Sequence, residues 1–160
     1  MSEAALEAYR LYAHRESVSL LILAVWGVTN LVAGAFFYRR TSGQPRYFWQ
    51  VALVWGVVNT LIGVPQFLDL AGPTAPPETL ARALADGLGT ARLLSGAFIS
   101  DLATMLVGGL LAWRIVTRGS ERLQGWGKGL IVQGLWLAVF DAFLLALNGG
   151  YVQDLLGLVE

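Results

Sequence analysis

Residues 17–38, SVSLLILAVWGVTNLVAGAFFY, form a run of 22 residues without a charged side chain. An α-helix needs about 20 predominantly apolar residues to cross the hydrocarbon core of a bilayer. A lipid-exposed strand would leave backbone N–H and C=O groups unpaired in that core, whereas a helix pairs them internally. The run therefore predicts a transmembrane helix.

Three further segments have a similar character: residues 47–68, 93–116 and 129–148. Only 14% of the chain is charged and 56% is hydrophobic, whereas soluble domains carry about 25% charged residues. We therefore expect an all-α polytopic membrane protein with four transmembrane helices in a single domain, residues 1–160. The links between the first two and the last two spans are short, which favours two antiparallel hairpins.

The segment before the first span predicts a fifth, different element. Glu3, Glu7, Arg10 and His14 fall on one helical stripe, and apolar residues lie elsewhere on the same turns. This pattern is typical of an amphipathic helix that lies in the membrane interface.

Basic residues predict the orientation of the spans. Seven of the eleven lie in or beside the two short links, which are residues 39–46 and 117–128: Arg39, Arg40, Arg46, Arg114, Arg118, Arg122 and Lys128. Because Lys and Arg accumulate in cytoplasmic loops, both links are expected in the cytoplasm and both termini outside, in a bacterial plasma membrane. Arg118, Arg122 and Lys128 are candidates for contact with lipid headgroups.

The first two spans share a polar pattern. Each has Trp, Asn and Gly at intervals of four residues, as Trp26, Asn30 and Gly34, and as Trp55, Asn59 and Gly63. This spacing places the three side chains on one helix face. In one interpretation the glycine permits close packing and the asparagine bonds across the interface. In the other, the stripes are walls of a ligand site.

The last two spans each contain an aspartate, Asp101 and Asp141. Both carboxyl groups are expected roughly 10–12 Å below the outer boundary, from a rise of 1.5 Å per residue. Such a residue at a membrane centre costs about 2.5–3.5 kcal/mol on insertion scales, so it should face protein or water. No Lys or Arg lies in the middle of a span. Each carboxyl is therefore expected to be protonated, bound to a cation or wetted by a cavity, and Gln133 extends the same polar layer.

Several function classes are disfavoured by composition. The chain has no cysteine and one histidine, so neither a thiolate site nor paired histidine ligands for haem or zinc are expected. The formal net charge is zero, which gives no global field for nucleic acid. Residues 125–129 lack the spacing of a phosphate-binding loop. We expect no metal, no cofactor and no enzymatic activity.

A set of short motifs carries a family resemblance. These are Trp26-x-x-x-Asn30, Tyr47-Phe48, Trp55-x-x-x-Asn59, the span with Asp101, Leu123-x-Gly125-x-Gly127, Gln133-Gly134 and Phe140-Asp141. Together they resemble an uncharacterised family of small four-helix bacterial integral membrane proteins. The resemblance covers most of residues 20–68 and 95–145 and is most specific from 123 to 141. Members often have histidine after the Tyr-Phe pair, where this chain has Trp49, so no histidine-based site is implied here.

Two functions remain open from the sequence. The first is a non-enzymatic binding or transport module in the lipid bilayer, with the Asp and Asn side chains as a site for a proton, a cation or a small ligand. Transport with only four spans would require a homo-oligomer. The second is a structural or accessory subunit whose polar layer holds the helices in register. A membrane-embedded enzyme is the least favoured alternative, because few features of an active site are present.

Overall fold

The computed structural model describes residues 2–71, 75–113 and 118–158, and regular structure in these ranges is entirely helical. Its four helices are α1 (Glu3–Arg40), α2 (Gly43–Ala71), α3 (Leu80–Ala112) and α4 (Glu121–Leu156). All four are long and apolar enough to cross a membrane. The prediction of four long apolar helices is confirmed. Arg114, at the end of the third predicted span, lies outside the described residues.

The helices extend beyond the predicted spans. α1 has 38 residues and α4 has 36, which corresponds to lengths of about 57 and 54 Å at 1.5 Å per residue. The hydrocarbon core is only about 30 Å thick, so both helices are long enough to project from it. Much of the predicted link 117–128 is helical, because α4 begins at Glu121. Ser120 caps this helix by accepting a hydrogen bond from the Leu123 N–H.

The predicted separate interfacial helix is instead the first part of α1. Ser2 caps the helix by accepting a hydrogen bond from the Ala5 N–H at 3.3 Å, and no residue that breaks helices separates this end from the first span. Ala5 is fully buried and packs with Ala83 of α3 and Leu155 of α4. The N-terminal turns are thus held against other helices.

Glycines bring α1 and α2 into close antiparallel contact. A Cβ atom added at Gly34 would lie 2.6 Å from the Leu53 backbone nitrogen, and one added at Gly63 would lie 2.8 Å from that of Ala24. Gly34 comes after Ala24 in α1, whereas its partner Leu53 comes before Gly63 in α2. This reversed order is that of antiparallel helices. Both glycines belong to the predicted Trp-Asn-Gly stripes, and both lie at close helix contacts, as the packing interpretation predicts.

Helix α4 makes similar contacts with α3 and α2. A Cβ atom at Gly134 would lie 2.9 Å from the Asp101 backbone oxygen, and one at Gly129 would lie 2.7 Å from Val51 Cβ. α4 also packs on α1, whereas α3 packs mainly on α4 within the part of the chain that the structure describes. The bundle therefore has a gap between α2 and α3.

The two ends of the bundle differ in what they contain. The beginnings of α1 and α3 and the end of α4 meet at one end, called here the terminal end, and the opposite end is called the link end. At the terminal end Tyr12 stacks on Tyr151, with ring centroids 4.4 Å apart. At the link end the Arg122 guanidinium lies 4.2 Å above the Trp126 ring.

The outward surface of the helices is strongly apolar. Large hydrophobic side chains are exposed on every helix, including Val32 of α1, Leu61 of α2, Leu106 of α3 and Val139 of α4, each more than 60% exposed. Soluble monomers rarely expose contiguous apolar surface on this scale. The surface is compatible with contact with lipid along all four helices.

The close approach of α1 and α2 can be tested with one pair of matched substitutions. Gly34→Ala should lower stability by about 1–3 kcal/mol, the usual cost of overpacking, because the new methyl group meets the backbone of α2. Gly96→Ala should cause no loss and a gain of up to about 1 kcal/mol, since alanine is the better helix former and nothing lies within 4 Å of that position in the chain. Thermal unfolding in detergent micelles, followed by circular dichroism, measures both. Equal effects would contradict the proposed contact.

Candidate functional site

The gap between α2 and α3 forms an interhelical cavity of about 510 Å³. α1 and α4 contribute its remaining walls, which are mainly leucine and aromatic side chains. Its polar lining residues come from all four helices: Glu16, Asn59, Gln66, Thr90, Ser100, Asp101 and Asp141. The cavity is partly open to the outside of the bundle, where Ile62 and Leu93 are exposed, and it combines apolar walls with polar groups, as small-molecule sites usually do.

Asp101 and Asp141 lie next to each other in this cavity. Their exposed fractions are only 7% and 9%, and their carboxyl groups interact with each other. The small size of Gly134 allows α4 to approach the α3 backbone at Asp101, and Asp141 follows two helical turns later. One carboxyl oxygen of Asp101, Oδ2, is buried without a hydrogen-bond partner. The two aspartates predicted at similar depth thus form one pair.

Asn59 and Trp55 bring α2 to the same cavity. Asn59 is 2% exposed, and its side-chain nitrogen Nδ2 is buried without a hydrogen-bond partner. Trp55 lies one helical turn earlier and also lines the cavity. A buried polar group without a partner costs about 1–3 kcal/mol. Such groups at Asn59 and Asp101 are able to form hydrogen bonds with a molecule in the cavity.

The equivalent residues of α1 form a separate hydrogen-bonded network. Trp26 Nε1 donates to Gln133 Oε1 at 3.2 Å, and Gln133 Nε2 donates to Asn30 Oδ1 at 2.7 Å. Asn30 Nδ2 in turn donates to the Trp26 backbone oxygen at 2.9 Å. The network therefore joins α1 to α4, and its members are paired with one another.

A stack of aromatic rings connects this network to the cavity. The rings of Trp26 and Trp136 are parallel within 5° with centroids 4.6 Å apart, and Trp136 stacks on Phe140 at 5.3 Å. Phe140 lines the cavity. The two copies of the Trp-Asn pattern thus have different environments: the first is in the network, and the second is in the cavity.

Some residues of the cavity were not singled out by the sequence. Glu16 precedes the first predicted span, and Gln66 lies near the end of the second. The spacing of residues along the helices could have identified both. Glu16 lies four and seven residues before the cavity residues Leu20 and Leu23, and Gln66 lies seven residues after Asn59, so each shares a helix face with a cavity residue. Thr90 was missed because the third span was predicted to begin after it.

The basic residues predicted to contact lipid headgroups are at the link end. Arg122 packs on Trp126, whose Nε1 donates to Gln50 Oε1 at 3.0 Å. Arg118 and Lys128 are exposed. None of the three lines the interhelical cavity. Their contact with lipid remains a prediction.

Comparison with known protein families identifies the family of this chain. A family model of unknown function matches residues 22–142. The chain belongs to the DUF6992 family. The predicted resemblance to an uncharacterised family is confirmed. The DUF6992 match includes Asn59, Asp101 and Asp141, whereas Glu16 precedes it. No curated protein and no solved structure matches the chain.

The arrangement is suited to binding a positive charge or a hydrogen-bonding group. Within the described ranges, no group of three or more His, Cys, Asp or Glu side chains is placed to hold a metal ion. The cavity instead presents three carboxyl groups, two primary amides and two hydroxyl groups among apolar walls. Two of the carboxyl groups, those of Asp101 and Asp141, lie next to each other, and the positive part of a ligand would bind at this pair.

The network of Asn30 and Gln133 makes a separate prediction about stability. A double-mutant cycle with Asn30→Leu and Gln133→Leu should give a coupling energy near the membrane-protein average of about 0.6 kcal/mol, with an upper range of about 1.7 kcal/mol. The coupling arises because each substitution removes the same 2.7 Å hydrogen bond. Unfolding in mixed micelles measures it. A control cycle of Asn30→Leu with Gln153→Leu should show additivity, since Gln153 is exposed at the far end of α4. Additivity in both cycles would refute the bond between helices.

Proposed function

We propose that this DUF6992 protein is an integral protein of a bacterial plasma membrane. Four helices of sufficient length and hydropathy support this, together with the exposed apolar side chains on each of them. In water, that surface would favour association, whereas lipid tails solvate it. The bilayer is thus the environment that matches the outside of the bundle.

We propose further that the protein is a non-enzymatic binding or transport module whose interhelical cavity holds a proton, a cation or a small ligand. The observation that carries this proposal is the pair of neighbouring carboxyl groups, Asp101 and Asp141, in a cavity that also contains the unpaired amide nitrogen of Asn59. Among the described residues, no Lys or Arg lines that cavity. Adjacent buried carboxylates repel each other, so a bound proton or cation stabilises them.

A structural role is the second candidate. It is favoured by the network of Trp26, Asn30 and Gln133, whose side chains join α1 to α4. In this role the protein would be an accessory subunit, and its polar side chains would only hold the helices in register. The response of the aspartate pair to Na⁺ distinguishes the candidates, because a role in packing does not require a cation, whereas buried carboxyl groups make stability depend on pH in either role.

Replacement of the aspartates tests the binding proposal. In lipid nanodiscs at fixed pH, the thermal stability of the parent should rise with NaCl concentration at constant ionic strength. A ligand at one hundred times its dissociation constant stabilises the folded state by about 2.7 kcal/mol. Asp101→Asn and Asp141→Asn should remove this dependence while the helices remain folded, because asparagine has the same shape without the charge.

The control variant is Asp69→Asn. Asp69 is exposed in α2 and does not line the cavity, so its replacement should leave the dependence unchanged. If the parent and both cavity variants respond identically to Na⁺, the aspartate pair is not a Na⁺ site and the structural role is favoured over binding of this ion.

We also propose that both short links lie in the cytoplasm and both termini outside. This orientation is based on the basic residues in and beside the links. The chain has no native cysteine, so single-cysteine variants report their own positions. Ser42→Cys, in the first link, should react with a membrane-impermeant maleimide only from the cytoplasmic side. Glu78→Cys, before α3, should react only from outside, and both native residues are exposed. The reverse pattern in right-side-out and inverted vesicles would overturn the orientation.

A further inference from the structure

The walls of the interhelical cavity restrict the class of ligand. Aromatic side chains Trp55 and Phe140 face it together with leucines from α1, α3 and α4. A positive charge is attracted to the face of an aromatic ring, as well as to the carboxyl groups of the aspartate pair. The cavity thus matches a molecule that is both apolar and positively charged.

The size of the cavity also bears on the ligand. Its volume of about 510 Å³ lies within the range of roughly 300–1,000 Å³ that is typical of small-molecule sites. A bare metal ion such as Ca²⁺ would require about six to eight oxygen ligands, and the described residues contain no suitable cluster of acidic or histidine side chains. An organic cation would pair its charge with the carboxyl groups and fill the apolar space with its body.

Two buried polar atoms support a ligand site at the cavity. Asp101 is more than nine-tenths buried, and its Oδ2 atom has no hydrogen-bond partner. The same is true of Asn59 and its Nδ2 atom. Both residues line the cavity. These unpaired atoms, on two different helices, are an observation independent of the aspartate pair and favour a ligand that supplies their missing partners.

A second space lies at the terminal end and shares two lining residues with the cavity. This space, called here the vestibule, has a volume of about 750 Å³ and is lined by Tyr9, Tyr12 and Tyr151. Glu16 and Thr90 line both spaces, which places these two residues at the border between the vestibule and the cavity.

The vestibule resembles the cavity in its chemistry. It contains the acidic residues Glu78 and Asp86 as well as the three tyrosines. Arg82 is the basic residue among its described lining, and its Nε atom is paired with Asp86 at 3.2 Å. Acidic and aromatic side chains thus line the vestibule as well as the cavity.

From these observations we infer that the ligand is an amphiphilic organic cation, which enters through the vestibule past Glu16 and binds with its charge at Asp101 and Asp141. The inference rests on the proposed binding function and adds the class of ligand. The apolar body of the cation occupies the space beside Trp55 and Phe140. Protons compete with the cation for the carboxyl groups, since both neutralise the same charge.

Tetraphenylphosphonium and tetraphenylborate test this inference, because they have nearly the same size and shape but opposite charge. Isothermal titration of the full chain in nanodiscs, with empty nanodiscs subtracted, should show saturable binding of tetraphenylphosphonium and none of tetraphenylborate. Asp101→Asn and Asp141→Asn should each weaken the cation's affinity by about tenfold or more, which corresponds to a loss of about 1.4 kcal/mol. Asp69→Asn should retain the parent's affinity.

Two further variants separate loss of the site from loss of the fold. Asp101→Glu keeps the charge and should bind more tightly than Asp101→Asn, and the helical circular dichroism spectrum should be the same for both. Glu16→Gln should slow the association of the cation in stopped-flow mixing more than it changes the affinity.

The possible failures are distinguishable. Equal binding of the two probes, or equal affinity of parent and aspartate variants for tetraphenylphosphonium, overturns the inference. If Na⁺ stabilises the parent through the aspartates but tetraphenylphosphonium does not bind, the ligand class is wrong and the proposed binding function stands. If neither Na⁺ nor tetraphenylphosphonium has an aspartate-dependent effect, both proposals fail.

Discussion

Close packing on α4 is the constraint on which the rest of the bundle depends. Gly134 allows the α3 backbone to approach on one side, and Gly129 allows Val51 of α2 to approach on another. Because glycine has no side chain, the neighbouring helices come within contact distance of α4 at these positions. Lipid tails are as apolar as the helix surface, so the hydrophobic effect does not drive helices together in a bilayer, and van der Waals packing stabilises their contact instead. Since α2 and α3 each pack on α4, the space between them remains open. The interhelical cavity is a consequence of this arrangement.

The polar groups of the hydrogen-bonded network and those of the cavity differ in their energetics. Trp26, Asn30 and Gln133 pair with one another across α1 and α4, so their burial is compensated by hydrogen bonds. In the cavity, Asn59 and Asp101 retain unpaired atoms. A satisfied network stabilises a single helix arrangement, whereas unsatisfied buried groups raise the energy of the unliganded state and favour whatever pairs with them.

The two ends of the bundle are specialised in different ways. At the link end, aromatic rings pack under arginines, as in the contact between Arg122 and Trp126. At the terminal end, the tyrosines and acidic residues of the vestibule lead to Glu16. This difference between the two ends agrees with the distribution of charge in the sequence, in which basic residues are concentrated in the links. A cation would encounter favourable charge at the terminal end and unfavourable charge at the link end.

The sequence by itself determined the helical class, the number of long apolar helices and the burial of the asparagines, because hydrophobic length and a spacing of four residues are local properties. It did not determine that α1 is continuous from Glu3, since an amphipathic stripe is compatible with either an interface or a neighbouring helix. Only tertiary packing decided that Asp101 and Asp141 are neighbours, that Asn59 faces a cavity while Asn30 is paired with Gln133, and that Glu16 belongs to the same site. Two identical local patterns acquire different roles because their partners come from distant parts of the chain, and periodicity along one helix contains no information about which helix lies opposite.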